Sequence, residues 1–179
     1  MLLLACAPPP SALDARSALS LRGSDARVHD VRKELAEARF TVFVFAAKSC
    51  ACLDAHAPRL RALHDEYSQK GVAFRLVDSE VGASPSRAMQ LARRSDLGFP
   101  ALADPGARLA DALGAAFASH TVIVDEGGRI RYSGGIDSDA ARLHDDAKLY
   151  VRDALDDLLA GNPPRQARSE ALGCSLELR

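Results

Sequence analysis

The run FTVFVF at residues 40–45 limits the folds open to this chain more than any other feature. Its residues are β-branched or aromatic, so it reads as a strand, and its apolar character does not alternate. A strand with one wet face would show polar residues at every second position. This one predicts burial on both faces, as in a parallel sheet covered by helices. With 179 residues and 47% hydrophobic content the chain can enclose one core of ordinary size, so a single domain is expected.

The flanking patterns agree. Val28, Val31 and Leu35 predict a helix over residues 27–38. After the strand, Leu60, Leu63 and Tyr67 recur at helical spacing, Gly71 breaks the helix, and residues 72–77 read as a second strand, giving a β, α, β order. Ser84 followed by Pro85 predicts a helix start, an N-cap with proline at the first helical position, running toward Leu97. Phe99-Pro100 closes that helix, Asp104-Pro105-Gly106 makes a turn, and a short helix through Leu109 and Leu113 stops at Gly114. Residues 120–125 and 129–132 predict a hairpin around Glu126-Gly127-Gly128. A last helix over residues 145–160 buries Val151, Ala154, Leu155 and Leu158, with Asp145 and Asp146 at its acidic start and Asp156 and Asp157 on its solvated face. The sum is an α/β domain with a mixed central sheet flanked by helices.

Charge excludes several functions. A formal net charge of -1 leaves no electrostatic footprint for nucleic acid or an anionic membrane surface, and 5% aromatic residues with no Trp disfavour base stacking. Small molecules or proteins are the expected partners. At the amino terminus, Leu3-Leu4-Ala5-Cys6 resembles a bacterial lipobox, which would make Cys6 a lipid anchor and place the protein in the cell envelope or periplasm. The run is short and lacks a preceding positive charge, so an ordinary unstructured start in a cytoplasmic protein is the competing expectation. Residues 1–24 are thus expected to be signal-like or a tether, 25–162 the folded domain, and 163–179 a tail carrying Cys174.

The chemistry concentrates in AAKSCACLDAHAPRL, residues 46–60, where two of the four cysteines sit one residue apart between the strand and a helix. A cysteine at such a junction meets unsatisfied backbone N–H groups and the positive end of the helix dipole, both of which favour thiolate over thiol. Cys50 falls there. Side chains two apart on a regular helix diverge by about 200°, so Cys50 and Cys52 can pair only if Cys50 and Ala51 stay in a non-helical turn. A bridge made that way would be strained and easily reduced, which suits exchange chemistry better than a structural staple. The plain alternative is that both are small buried hydrophobes.

Taken together, FVFAAKSCACLDAHAPRL, the FPALADP turn, LGAAFASHTVIVDEGGRIRYSGGID and LYVRDALDDLLAGNPP resemble the thioredoxin-like redoxins, the group that includes the alkyl hydroperoxide reductase and thiol-specific antioxidant type. The resemblance covers roughly residues 25–179 and implies a thioredoxin-like three-layer α/β fold. Aligning Phe45, Cys50 and Pro58 with the family pattern puts Cys50 on the nucleophilic cysteine and Leu53 where the second cysteine usually stands, so the motif here is C-x-C with Cys52 one position early. Cys174, in SEALGCSLEL, resembles the carboxy-terminal GC segment of some redoxins. If the tail folds back, it could resolve a mixed disulfide or sulfenic acid on Cys50. Three thiols allow three single bridges, and the sequence does not choose among them.

Departures from the family shape the functional expectation. Peroxidatic members carry threonine three residues before the nucleophile, where this chain has Ala47. That substitution favours protein disulfide exchange over peroxide reduction. The tryptophan and cis-proline typical of thioredoxins correspond here to Ser49 and Ser119. The resemblance therefore implies a thiol:disulfide oxidoreductase working through Cys50 and Cys52, with Cys52, or else Cys174, as the resolving thiol, protein thiols or disulfides as partners, an external electron donor or acceptor, and no bound cofactor. Lys48 would add positive charge near Cys50. A different class, an envelope carrier of Cu(I) or Zn(II), would use Cys50, Cys52, His56 and His120 as a sulfur and nitrogen ligand set. His29, His64 and His144 read as surface residues.

Overall fold

An apolar strand without alternation belongs where both faces of a sheet are dry. In the protein, a computed structural model describing residues 12–13 and 19–179, β3 (Phe40–Ala46) is buried at all seven positions. It runs parallel to β4 (Val72–Asp78), in register from Phe40 opposite Val72 to Ala46 opposite Asp78. On its other side it pairs antiparallel with β6 (Thr121–Asp125). β7 (Ile130–Gly134) folds back antiparallel on β6 with a bulge between Ile123 and Val124. β5 (Ala101–Ala103) extends the other side parallel to β4, and β1 (Ser20–Gly23) and β2 (Val28–Asp30) complete it as antiparallel strands. Among the described residues the sheet has seven strands in the order β2-β1-β5-β4-β3-β6-β7, the mixed α/β arrangement expected. Its helices are α1 (Val31–Glu37), α2 (Ala51–Tyr67), α3 (Pro85–Ser95), α4 (Arg108–Leu113) and α5 (Tyr150–Leu159).

The elements with strong local signals start where physics puts them. Ser84 caps α3 by accepting a hydrogen bond from the Arg87 N–H, with Pro85 at the first helical position. Other boundaries differ from expectation. The helix predicted from residue 27 begins at Val31, because Val28–Asp30 pairs with β1 first and Asp30 then caps the helix by accepting from the Lys33 N–H. The tether expected through residue 24 ends sooner: Leu19 is 1% exposed, and Ser20–Gly23 lies in the sheet with Leu21 and Gly23 turned inward. α5 starts at Tyr150, so Asp145 and Asp146 lie ahead of it rather than on its first turn. The Cys6 anchor lies outside the described residues.

The expected Asp104 turn carries a structural duty beyond turning. Asp104 is fully buried; its carboxyl accepts hydrogen bonds from the N–H groups of Leu109 and Ala110 at the start of α4 and from the Ser79 hydroxyl at 2.7 Å. The Ala107 backbone at φ 56 makes no cap of its own, so the carboxyl does that work. Replacing it by Asp104→Ala strands three buried donors, the Leu109 and Ala110 N–H groups and the Ser79 hydroxyl, and is expected to lower stability by about 2 kcal/mol. A shift of the urea midpoint at unchanged m-value measures this.

Candidate active site

At the carboxyl end of β3 the chain turns through Ala47, Lys48 and Ser49 into α2. Cys50 is the N-cap, with extended backbone (φ -146, ψ 110), and Ala51 is already helical. Only half of the non-helical turn that a Cys50–Cys52 bridge needs is therefore present. The turn is pinned by Glu80 beyond β4, whose carboxylate accepts from the Lys48 N–H at 2.8 Å, and by Arg94 of α3, which donates to the Lys48 carbonyl at 2.5 Å.

The expected site thiols meet here. Cys50 is buried at 2% exposure, Cys52 is half-buried and Cys174 is exposed; all three are free. The tail brings Cys174 in by backbone pairing. The Ala118 N–H donates to the Cys174 carbonyl at 2.8 Å, Ser175 bridges antiparallel to Phe117, and the Leu176 N–H donates to the Ala116 carbonyl at 2.9 Å. Further on, the Val81 N–H donates to the Glu177 carbonyl at 2.7 Å. The tail therefore does not hang free after residue 163; it crosses the site as a strap.

The three thiols differ electrostatically. Burial pushes Cys50 up, but the Cys174 thiol and the N–H groups of Leu53, Cys174 and Cys52 outweigh it, so its net shift is below the ordinary cysteine value. Cys174 is pushed up to about 11, first by its hydrogen bond to Cys50 and then by burial and the Cys50 charge. Cys52 is raised as well, by burial and then by Cys50. Of the three sulfurs, Cys50 is the one whose ionisation the surroundings favour, while those of Cys52 and Cys174 are disfavoured.

The histidines depart from expectation. His56 directs Nδ1 to the Cys52 carbonyl at 2.6 Å and Nε2 to Asp137 Oδ1 at 3.0 Å, in a buried setting. Both partners are acceptors, so both ring nitrogens must donate and the ring is an imidazolium. Burial opposes that charge, yet the bonds to Asp137 and the Cys52 carbonyl raise its pKa on balance. Asp137 also accepts from Arg59 at 2.6 Å, and Arg59 reaches Asp139, which holds His144. His120 gives Nε2 to Ser133 at 2.8 Å, its Nδ1 is buried without a partner, and burial pulls it down to about 4. With both His56 nitrogens spent, the expected copper or zinc ligand set does not assemble; among the described residues no group of three or more His, Cys, Asp or Glu is arranged for a metal. Two supposed surface histidines are otherwise placed: His29 is buried between Asp25 and Glu34, and His64 packs against Phe74 and Phe99.

Glu80, Arg59 and Asp137 support the site without having stood out in the sequence. Arg59 lies three residues after His56, a spacing that places both on one helix face, but their shared partner is about 80 residues away, with no local signal. Where a thioredoxin has its cis-proline, Ser119 stands at φ 67; its N–H donates to the Phe45 carbonyl at 2.8 Å, and the described residues contain no cis peptide.

A mixed sheet with a buried cysteine at a strand-to-helix junction defines a thioredoxin-like fold. The sequence profile of the AhpC/TSA family matches residues 15–133, and the chain belongs to that family. Solved structures agree on the fold. An uncharacterized conserved protein of Geobacillus kaustophilus superposes with a TM-score of 0.83 at 24% identity over 96% of this chain and 93% of that one. A mutant of PrxQ from Xylella fastidiosa gives 0.61 at 12% identity over 86% and 94%. A secreted disulfide oxidoreductase of Mycobacterium tuberculosis gives 0.53 at 16% identity over 65% and 83%. No curated protein matches the sequence. Family membership points to oxidoreductase chemistry of the thiol type.

Proposed function

We propose that the protein is a thiol:disulfide oxidoreductase in which Cys50 is the nucleophile and Cys174 the resolving thiol. One observation carries the reading: the tail pairs with residues 116–118 and so seats Cys174 against Cys50 at the N-cap of α2, with the Cys50 pKa lowered and that of Cys174 raised by the contact.

The Cys50 thiolate attacks one sulfur of a partner protein's disulfide. The partner's S–S bond breaks, a Cys50–partner bond forms, and the leaving thiolate takes a proton from solvent. Once Cys50 is in a mixed disulfide its charge is gone. That charge and its hydrogen bond hold the Cys174 proton, so their loss eases deprotonation of Cys174 when it is needed. The Cys174 thiolate then attacks the Cys50 sulfur and releases the reduced partner, leaving a Cys50–Cys174 disulfide. An external dithiol supplies two electrons to restore the enzyme. The same cycle run backwards oxidises partners. Ala47, buried and without a hydroxyl, offers no hydrogen bond to orient a peroxide, which supports exchange over peroxide reduction.

The test is a redox titration in dithiothreitol buffers followed by disulfide mapping. Wild type is expected to show a two-electron couple with a Cys50–Cys174 linkage that survives Cys52→Ser and disappears in Cys174→Ser. A linkage that instead requires Cys52 would transfer the resolving role to it, and the lack of any reversible couple would end the exchange reading.

A further inference from the structure

The nucleophile of an exchange enzyme has to be reachable, yet Cys50 is 2% exposed and lies under the chain's own tail. The way that tail is seated indicates what normally comes there. Residues 174–176 run antiparallel to residues 116–118. The Cys174 carbonyl and the Leu176 N–H make the two pairing bonds, and Ser175 stands opposite Phe117 between them. In that register the side chain of the residue whose carbonyl meets the Ala118 N–H delivers its sulfur to Cys50. The seat is close-fitting: a Cβ on Gly173 would lie 1.9 Å from the Ala118 carbonyl oxygen. Phe117 and Val81, 40% and 60% exposed, are apolar residues at the loops where the strap pairs.

We propose that residues 174–177 are a detachable stand-in for the partner. The backbone of residues 116–118 is then a docking edge for an extended, cysteine-bearing segment of another protein, which displaces the strap and adopts its register. This deepens and rests on the exchange reading above. Recognition is by main-chain pairing, so it tolerates varied sequence around the partner's cysteine. It also demands a free N–H on the second residue after that cysteine, the one that takes the place of the Leu176 N–H at Ala116. The N–H of the first residue after it, in the place of Ser175, points away from the edge, as expected for a non-hydrogen-bonded pair.

The test uses full-length protein with Cys6, Cys52 and Cys174 changed to serine, with and without Gly173→Ala. Two disulfides are offered: cystamine, and the hexapeptide LGCSLE activated at its cysteine with nitrothiobenzoate. In each reaction Cys50 displaces a thiolate and forms a mixed disulfide. Gly173→Ala is expected to speed the peptide about tenfold beyond any gain seen with cystamine, because it unseats the competing strand. N-methylation at the peptide position matching Leu176 should slow it about fivefold, the weight of one net backbone hydrogen bond, while N-methylation at the position matching Ser175 leaves it unchanged. Equal rates for the two methylated peptides, or equal gains for peptide and cystamine, would overturn the docking edge while leaving exchange intact. Failure of cystamine to react at Cys50 in either protein would remove the exchange reading and this inference with it.

Discussion

Cys50→Ser is expected to lower the rate of partner-disulfide reduction by on the order of 10³-fold or more, since a serine hydroxyl stays protonated near neutral pH and is a far weaker nucleophile toward sulfur. The loss should occur with the fold intact, because serine is nearly the same size as the cysteine it replaces at the α2 N-cap and is itself a favoured capping residue. The pH dependence adds a second signature. With Cys50 lowered and both neighbours raised, the rate of alkylation by iodoacetamide in a Cys6→Ser protein should inflect below the ordinary cysteine range and report Cys50. Peptide mapping of the alkylated protein at pH 7 should find the label on Cys50 before Cys52 or Cys174. Activity retained in Cys50→Ser would remove the nucleophile assignment.

The largest effect on stability is expected from Asp137→Ala. Asp137 is almost fully buried and is the carboxylate shared by the His56 imidazolium and Arg59. Its removal leaves a buried cation without its counter-ion, which typically costs about 3–5 kcal/mol. The pH dependence separates this from a mere packing defect. In wild type the His56 pKa is raised in the folded state, so its contribution is fully present below its unfolded value of about 6.5 and is lost as pH rises through the folded value. Burial raises the Asp137 pKa, but bonds from His56 and Arg59 lower it on balance. Its contribution is therefore present above about pH 3.9 and lost as pH falls. The pair stabilises most between those limits. Without Asp137, burial disfavours the protonated ring, so stability should rise as pH climbs toward about 6.5 and level off above it. Urea unfolding at pH 5.5 and pH 8 checks this; an equal loss at both pH values would show that the charge pairing is not what Asp137 supplies.

What the sequence makes legible here is whatever is encoded within a few residues. The unalternating run of β3, the Ser84-Pro85 start of α3, the β6–β7 turn and the placing of Cys50 before a helix all rest on local geometry, and each appears close to its expected position. β5 was hidden because Ala-Leu-Ala has no strand propensity of its own; pairing with β4 and β1 makes it a strand. β1 and β2 were masked for a similar reason, being four and three residues long inside a Ser/Ala-rich stretch and its continuation. The support of the site was the least legible part. His56 was visible as a residue, but its charge is fixed by Asp137, 81 positions away, and the clamp on Lys48 comes from Glu80, 32 positions away. Cys174 could be suggested by resemblance, while its seat on residues 116–118 depends on the tail's path over the finished fold.

The same path has a consequence for colloidal behaviour. A seven-stranded sheet ends in two margins of unpaired N–H and C=O groups, which in many proteins recruit strands from other molecules and seed insoluble assemblies. On the β7 margin the tail supplies the missing neighbour, with the Ser133 N–H donating to the Ala167 carbonyl and the Ser169 N–H to the Ser133 carbonyl. The margin at β2 is three residues long, too short a template to hold a foreign strand firmly. The segment that carries Cys174 thus also shields a sheet edge from edge-to-edge aggregation, so a chain shortened before residue 167 would be more prone to form turbid, thioflavin-binding material on storage.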